Sequence, residues 1–287
     1  MQRITIFAIT LMSVIFILSI VLILLERAYH LELPLQKNSI NSYCQSNKYK
    51  KVERKGYLSD KYQVKKYINK NYEYIKTAKV LLYSKDLEEI KNFNYPADFV
   101  LKSSAGSRMF LIVENGEYKI NNLVNKSKEF MNIDFANFGY RRIPFFGFEE
   151  PQYNHNKKAI MVEEHLGDVK EFRIMVINGK ILYYDIPEEG FFGNDYQKIN
   201  IKSDDNDYKA EGEMNKPKKL ELMEKFVQEF YEKEKIELTR CDFLLQGDEV
   251  YFGEVTFTPC NCFDRYNTSF NKHTYLNYIK PYKNRTD

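Results

Sequence analysis

Two acids near the C-terminal end, Asp242 and Glu254, have the types and spacing that most directly suggest chemistry. They lie in alternating apolar runs, Arg240–Leu245 and Val250–Phe257, joined around Gln246-Gly247-Asp248-Glu249. In a hairpin, residues equidistant from the loop centre stand opposite each other and share a face. A three-residue loop, Gly247-Asp248-Glu249, sets Asp242 across from Glu254, with Thr256 next on the same face. Facing carboxylates repel unless a cation joins them, and oxygen ligands suit a hard divalent ion. A slip of one residue would instead turn one acid to solvent, and spacing alone does not choose between the two registers.

Other candidates are spread along the chain. Lys102 ends the apolar run Asp98–Lys102 and precedes the small residues Ser103-Ser104-Ala105-Gly106-Ser107. A lysine so placed reaches a phosphate cradled by loop amides, or it is a strand-end lysine beside an ordinary turn. Glu163-Glu164 closes the run Ala159–Leu166 and is either a hinge offering backbone groups to an adenine or a plain strand end. His165, a lone histidine, is read as a packing residue.

Positioning these residues requires a mixed α+β order. Ser59/Asp60 is a cap candidate for a helix through 59–77, with Val64, Tyr67 and Ile68 at helical spacing. Lys79–Tyr83 reads as a strand, 85–93 as a helical turn or two, and Asp98–Lys102 with Met109–Val113 as a hairpin. Glu171–Ile177 and Lys180–Asp185 flank Asn178-Gly179, a strong hairpin signal. Pro217 precedes an amphipathic helix, Lys219–Lys235, with Leu220, Met223, Phe226, Val227 and Phe230 on one face.

The 287 residues carry 43 Lys+Arg against 40 Asp+Glu, and 44% are hydrophobic. Such a chain is neither disordered nor a disulfide-rich miniprotein, and an excess of +3 does not support a nucleic-acid binder. The distribution is uneven, because Ile4–Leu25 contains no charge. As a helix it measures about 33 Å, enough for a bilayer core, and no small-x-small cleavage site follows it. We read residues 1–25 as an uncleaved single-span membrane anchor and 26–57 as a polar juxtamembrane linker. Cations after the span, from Arg27 and Lys37 onward, favour a cytoplasmic location for the remainder. The four cysteines, Cys44, Cys241, Cys260 and Cys262, fit either compartment, and Cys260-Asn261-Cys262, which lacks zinc or redox spacing, is read as ordinary free thiols.

Taken in order, several of these pieces form a recognisable series. It comprises Asp60-Lys61-Tyr62, Phe99-Val100-Leu101-Lys102, Val162-Glu163-Glu164-x-Leu166, Asp242 and Tyr251-Phe252-Gly253-Glu254-Val255-Thr256-Phe257-Thr258-Pro259. The series resembles the TupA-like ATP-grasp family, which is associated with teichuronopeptide and other surface-polysaccharide biosynthesis. The resemblance spans 58–280, leaving 281–287 as a tail. It implies an ATP-grasp α+β fold, in which two subdomains with antiparallel sheets hold MgATP. On that basis Lys102 contacts the α/β-phosphates and the 103–107 loop, with Ser104, Gly106 and Ser107, covers them. Glu163, Glu164 and Leu166 form the adenine hinge. Asp242 and Glu254 hold Mg²⁺, with Thr256 where many ATP-grasp enzymes have an Asn ligand. Arg173 stands where the family tends to have a Lys and would face the phosphates or an acyl-phosphate. The chain departs from the family pattern in its glycine loop, which lacks a histidine and a glycine, in Cys260-Asn261-Cys262, and in its N-terminal span. The activity implied is an ATP-dependent carboxylate–amine ligase acting on a glycan or amino acid. A glycan kinase and a degenerate nucleotide-binding module are the alternatives.

Overall fold

The computed structural model describes residues 11–20, 37–134, 136, 150–187, 189–202, 209–264 and 266–283. Two sheets organise it. The smaller has four antiparallel strands in the order β2 (Val80–Ser84), β5 (Ile160–Glu164), β3 (Phe99–Ser103) and β4 (Phe110–Val113). The larger has eight strands. It runs β1 (Lys76–Thr77), β12 (Glu249–Thr256), β11 (Leu238–Gln246), β6 (Lys170–Ile177), β7 (Lys180–Ile186), β8 (Gly190–Phe192), β9 (Gln197–Ile199) and β10 (Lys209–Glu213). Only the short β1 pairs parallel, against β12. The expected strands and the Asn178-Gly179 turn are present, and both turn residues have positive φ, 51° and 78°.

Alternation gives each sheet one apolar face. On the large sheet Phe172, Ile174, Cys241, Phe243, Phe252 and Val255 form a core beneath the amphipathic helix Leu220–Glu234. All five predicted apolar residues of that helix are buried in it, each contributing about 1.5–3 kcal/mol. On the opposite face, Met175, Ile177, Tyr183 and Leu238 build a second core. Arg173, Asp185, Arg240, Asp242 and Glu254 also stand on that face, with Thr256 beside them, and they form the candidate site. The small sheet turns Phe99, Leu101, Ile160 and Val162 into a third core, leaving Val100, Lys102, Met161 and Glu163 on its other side.

Between the sheets lies the helix Lys61–Asn71. Asp60 caps it, accepting from the backbone N–H groups of Tyr62 and Gln63 at 3.0 Å each. Val64, Tyr67 and Ile68 anchor it in the first core, which leaves Lys61 and Lys65, one turn apart, at the sheets.

Three expectations change. The Asp242–Glu254 pairing is as expected, but the loop is not. Gln246 pairs with Glu249, so the loop is the two residues Gly247-Asp248. The register then shifts between Asp242 and Phe243, opposite Gly253. Gly253 permits this bulge because a Cβ there would sit 3.0 Å from the Asp242 carbonyl oxygen.

The stretch 26–57 is not simply a tether. From residue 37 it is described, and it contains the helices Ile40–Asn47 and Val52–Ser59. Ile40 and Cys44 enter the second core, and Leu58, just beyond the stretch, enters the first. So few apolar residues give no periodic signal, and these short helices form through tertiary contact. Gly56 lets the second of them approach the turn Pro151–His155, where a Cβ would lie 2.7 Å from the Gln152 carbonyl.

The cysteines are not all free. Cys44 and Cys262, 218 residues apart, form a disulfide, while Cys241 and Cys260 remain thiols. Sequence spacing cannot reveal such a pairing. Of the expected anchor only 11–20 are described, as exposed helix, and the rest lies outside the described residues. Among the described residues no helix is long and apolar enough to cross a membrane.

Candidate active site

The charged face of the large sheet is a row of cross-strand partners. Register aligns Glu254, Asp242, Arg173 and Asp185 across β12, β11, β6 and β7. Arg240, two residues before Asp242 and so on the same face, grips it with two hydrogen bonds, Nε–Oδ1 at 2.8 Å and Nη2–Oδ2 at 2.6 Å. Its Nη2 also lies 3.5 Å from the Thr256 hydroxyl. Arg173 is held by Glu171 at 2.9 and 2.7 Å and by Asp185 at 2.9 Å. Lys61 reaches Glu254 at 3.1 Å and donates to the Gly106 carbonyl at 2.7 Å, so one ammonium touches both the charged row and the small-sheet loop.

Each of the two facing acids thus has its own cation, Arg240 for Asp242 and Lys61 for Glu254. Their protonation diverges. Burial pushes the Asp242 carboxyl up to about 6, against the pull of Arg240 and with the Glu254 charge adding to the rise. Burial acts on Glu254 too, but Lys61 and Arg240 outweigh it and lower its value.

On the small sheet, Glu163 is 3% exposed and lies between two lysines. Lys65 is 3.0 Å from Oε2, and Lys102 pairs with Oε1. Burial opposes the charge of Glu163, yet these two ammonium groups hold its carboxyl below the usual range. Lys65, itself buried, is shifted down.

The 103–107 loop is pinned from beneath. Ser104 is fully buried; its N–H donates to the Ala159 carbonyl at 2.8 Å and its hydroxyl to the Lys157 carbonyl at 2.9 Å. Its own carbonyl accepts from the Lys61 N–H at 2.8 Å. The Ser104 side chain therefore positions the loop and is not presented to a ligand. Gly106 supplies the left-handed step at φ 91°, and Ser107 is half-buried on the loop's outer part.

The expected hinge is the chain that crosses from small to large sheet. Glu164 ties it to β2, accepting the Lys79 N–H at 2.7 Å through Oε1 and donating its own N–H to the Lys79 carbonyl at 3.0 Å. The Leu166 carbonyl accepts from the Gln246 side chain in the last hairpin. Glu163, expected there for its backbone, uses its side chain for Lys102 and Lys65. His165 lies 3.7 Å from Glu114 at the edge of the neighbouring hairpin.

The structure therefore brings together Lys102, Glu163, Gly106, Asp242, Glu254, Thr256 and Arg173. It adds Arg240, Lys61, Lys65, Glu171 and Asp185. Arg240 was legible by strand alternation from Asp242, and Lys65 by helical spacing from Lys61.

The TupA-like ATPgrasp family model matches residues 44–276. The chain belongs to this family. The match starts at Cys44 and so takes in the second half of the helix Ile40–Asn47 and all of Val52–Ser59. Among solved structures, the chain is similar to the D-alanine–D-alanine ligase of Helicobacter pylori, at 19% identity and a TM-score of 0.49. That likeness covers 78% of this chain and 60% of that one. For the L-amino acid ligase of Bacillus licheniformis the values are 16% identity, 68% and 42% coverage and a TM-score of 0.42. The chain thus spans less than two thirds of the length of these ligases. No curated protein sequence matches it.

The family implies Mg²⁺, and the donor set fits it. Asp242 and Glu254 face each other and Thr256 adds a hydroxyl, all oxygen donors, as a hard cation requires. Among the described residues there is no cluster of three or more His, Cys, Asp or Glu suited to a metal. Mg²⁺ needs none, since it is bound by one or two carboxylates together with substrate phosphates.

Proposed function

We propose that this protein is a MgATP-dependent carboxylate–amine ligase of surface-polysaccharide biosynthesis, tethered to the membrane by Ile4–Leu25. One observation carries the reading: a cation-rich patch, Lys102 and Lys65 around Glu163, meets an acid pair, Asp242 and Glu254, with Lys61 contacting both sides. A polyphosphate needs ammonium groups along its oxygens and a metal site at its end, and this arrangement supplies both.

In this reading adenine lies along the Glu163–Leu166 crossing and the phosphates lie on Lys102 under the 103–107 loop. Asp242, Glu254 and Thr256 hold Mg²⁺, which when bound neutralises charge on the transferring phosphoryl oxygens. A substrate carboxylate oxygen attacks the γ-phosphorus, the bond to the bridging oxygen breaks, and ADP leaves. The amine nitrogen then attacks the acyl carbon, the carbon–oxygen bond to phosphate breaks, and an amide forms. Arg173, fixed by Glu171 and Asp185, offsets the negative charge of the acyl-phosphate. The nitrogen's proton leaves with the departing phosphate. A hydroxyl in place of the carboxylate would make the enzyme a glycan kinase.

A binding module without catalysis is the second reading, favoured by one feature. Arg240 closes on both Asp242 oxygens with two of its nitrogens, so a metal must displace or share that contact. ATP turnover against uronic acids, amino acids and polyamines separates the readings. Free phosphate only in the presence of an amine supports the ligase; a phosphorylated glycan identifies the kinase; MgATP binding without turnover leaves the module. The anchor would keep the site beside lipid-linked glycans. The cations after the span favour the cytoplasmic side for the domain, which protease accessibility of the intact protein in membranes tests.

A further inference from the structure

Immediately after β12 the backbone is strained. Cys260, Asn261 and Cys262 are consecutive residues in the left-handed region, with φ of 49°, 59° and 62°. Residues with a Cβ avoid that region, and three in succession persist only where their surroundings over-determine them. Those surroundings come largely from the helix Ile40–Asn47. Cys44 is bonded to Cys262, Gln45 donates to the Asn261 carbonyl at 3.1 Å, and Asn41 exchanges hydrogen bonds of 2.5 and 3.2 Å with the Asp264 backbone.

On the other side the turn leads straight into the candidate site. Thr258 is buried, donates to Glu150 at 2.6 Å and accepts from Gln152 at 2.9 Å. Thr256 precedes it by two residues and Glu254 by four, with Pro259 stiffening the join. No flexible loop separates the covalent link from the proposed metal-binding residues.

We propose that the Cys44–Cys262 disulfide is a positioning clamp for the end of β12, so that metal-dependent nucleotide binding requires the oxidised protein. The inference rests on the ATP-binding reading above. Reduction by a dithiol breaks the S–S bond, passes two electrons to it, leaves two thiols and oxidises the dithiol to its own disulfide. In a reducing cytoplasm such a bond would be transient and would act as a redox sensor. Cys260, an unbridged thiol two residues away, serves as the control.

The test measures ATP affinity of the intact protein, with and without Mg²⁺, before and after dithiothreitol and below the melting temperature. Alkylation and peptide mass report the disulfide. Reduction is expected to cut the Mg²⁺-dependent gain in affinity on the order of tenfold, as losing a supporting partner of a metal site does. Binding without Mg²⁺, which relies on Lys102 and the loop, is expected to hold. Cys44→Ser and Cys262→Ser should behave like the reduced protein, and Cys260→Ser like the oxidised one. If either of the first two fails to fold, reduction of the native chain, with amide exchange over residues 254–262, decides. An unchanged Mg²⁺ gain after reduction overturns the clamp, as does an equal loss with and without Mg²⁺, which marks general loosening. If the oxidised protein binds no ATP at all, the nucleotide reading fails with it.

Discussion

On the four-stranded sheet one carboxylate, Glu163, lies between two ammonium groups, whereas on the eight-stranded sheet one guanidinium, Arg240, lies against the first of two facing carboxylates. Glu163 and Asp242 are each 3% exposed, so both lose hydration to the same degree. Burial alone would raise both carboxyl values. Partner count decides otherwise: two lysines bring Glu163 below the usual range, while one arginine and a second acid leave Asp242 up at about 6. The small sheet therefore keeps surplus positive charge, suited to an anion, and the large sheet keeps an acid pair suited to a cation. Lys61 contacts the second acid and the loop of the small sheet, and so joins two patches of opposite sign.

The largest effect should come from Glu163→Gln. Removing the central charge strands Lys65 and Lys102, and breaking a buried pair in this way costs about 3–5 kcal/mol. Chemical denaturation reads it, and a loss below about 1 kcal/mol would show that water already screens the cluster. The same variant carries a pH signature. Because the folded value of Glu163 is lowered, its stabilisation is complete above the ordinary glutamate range and is lost as pH falls through the folded value. The acid limb of the wild-type stability profile should therefore be steeper than that of Glu163→Gln.

Arg240→Met probes the other patch. It should destabilise by about 3 kcal/mol, less than Glu163→Gln, because Asp242 can take up a proton and Glu254 keeps Lys61. Added Mg²⁺ without nucleotide should recover part of that loss in a thermal melt. No recovery would mean that the acid pair is not a cation receptor. Next come the ligand effects. Lys102→Met should weaken ATP about tenfold or more whether or not Mg²⁺ is present, as expected on losing a charged hydrogen bond. Asp242→Asn and Glu254→Gln should weaken only the Mg²⁺-dependent part. Equal Mg²⁺ dependence in all three would erase the distinction between the sheets. The smallest effect is expected at the hairpin tip, where Lys218 and Asp248 pair at 2.8 Å while both are exposed. Asp248→Ala should change stability by no more than about 0.5 kcal/mol, since exposed pairs contribute little.

Most of the fold was legible in local patterns. The helix of Leu220–Glu234 announced itself by five apolar residues on one face, and the hairpin at Asn178-Gly179 by residues able to hold positive φ. The Asp242–Glu254 pairing was also anticipated, though through a loop of the wrong length. A two-residue loop without a bulge would have faced Asp242 with Gly253, and the shift opposite Gly253 restores the acid. A second bulge did the same beyond sequence reasoning. An unbroken hairpin at Asn178-Gly179 pairs Arg173 with Tyr184, but the shift between Met175 and Val176 brings Asp185 into the charged row instead. A bulge reverses which face follows it, and its position depends on packing against neighbouring elements.

The amino-acid sequence by itself determined the kind and order of the elements, the apolar face of each, and the acids, lysines and loop that mark an ATP-grasp chain. Those features rest on the period of side-chain direction and on turn chemistry, which are properties of neighbouring residues. Only the tertiary structure decided which cation answers which acid, that Ser104 holds the loop instead of facing a ligand, and that Cys44 reaches Cys262. Arg240 and Asp242 are near neighbours on one strand, but the pairings of Lys102 with Glu163 and Lys61 with Glu254, the anchorage of Ser104 and the disulfide join segments 50 to more than 200 residues apart in the chain, 53 for Ser104 to Lys157 and 218 for the disulfide. Local propensity carries no record of such distances; packing sets them.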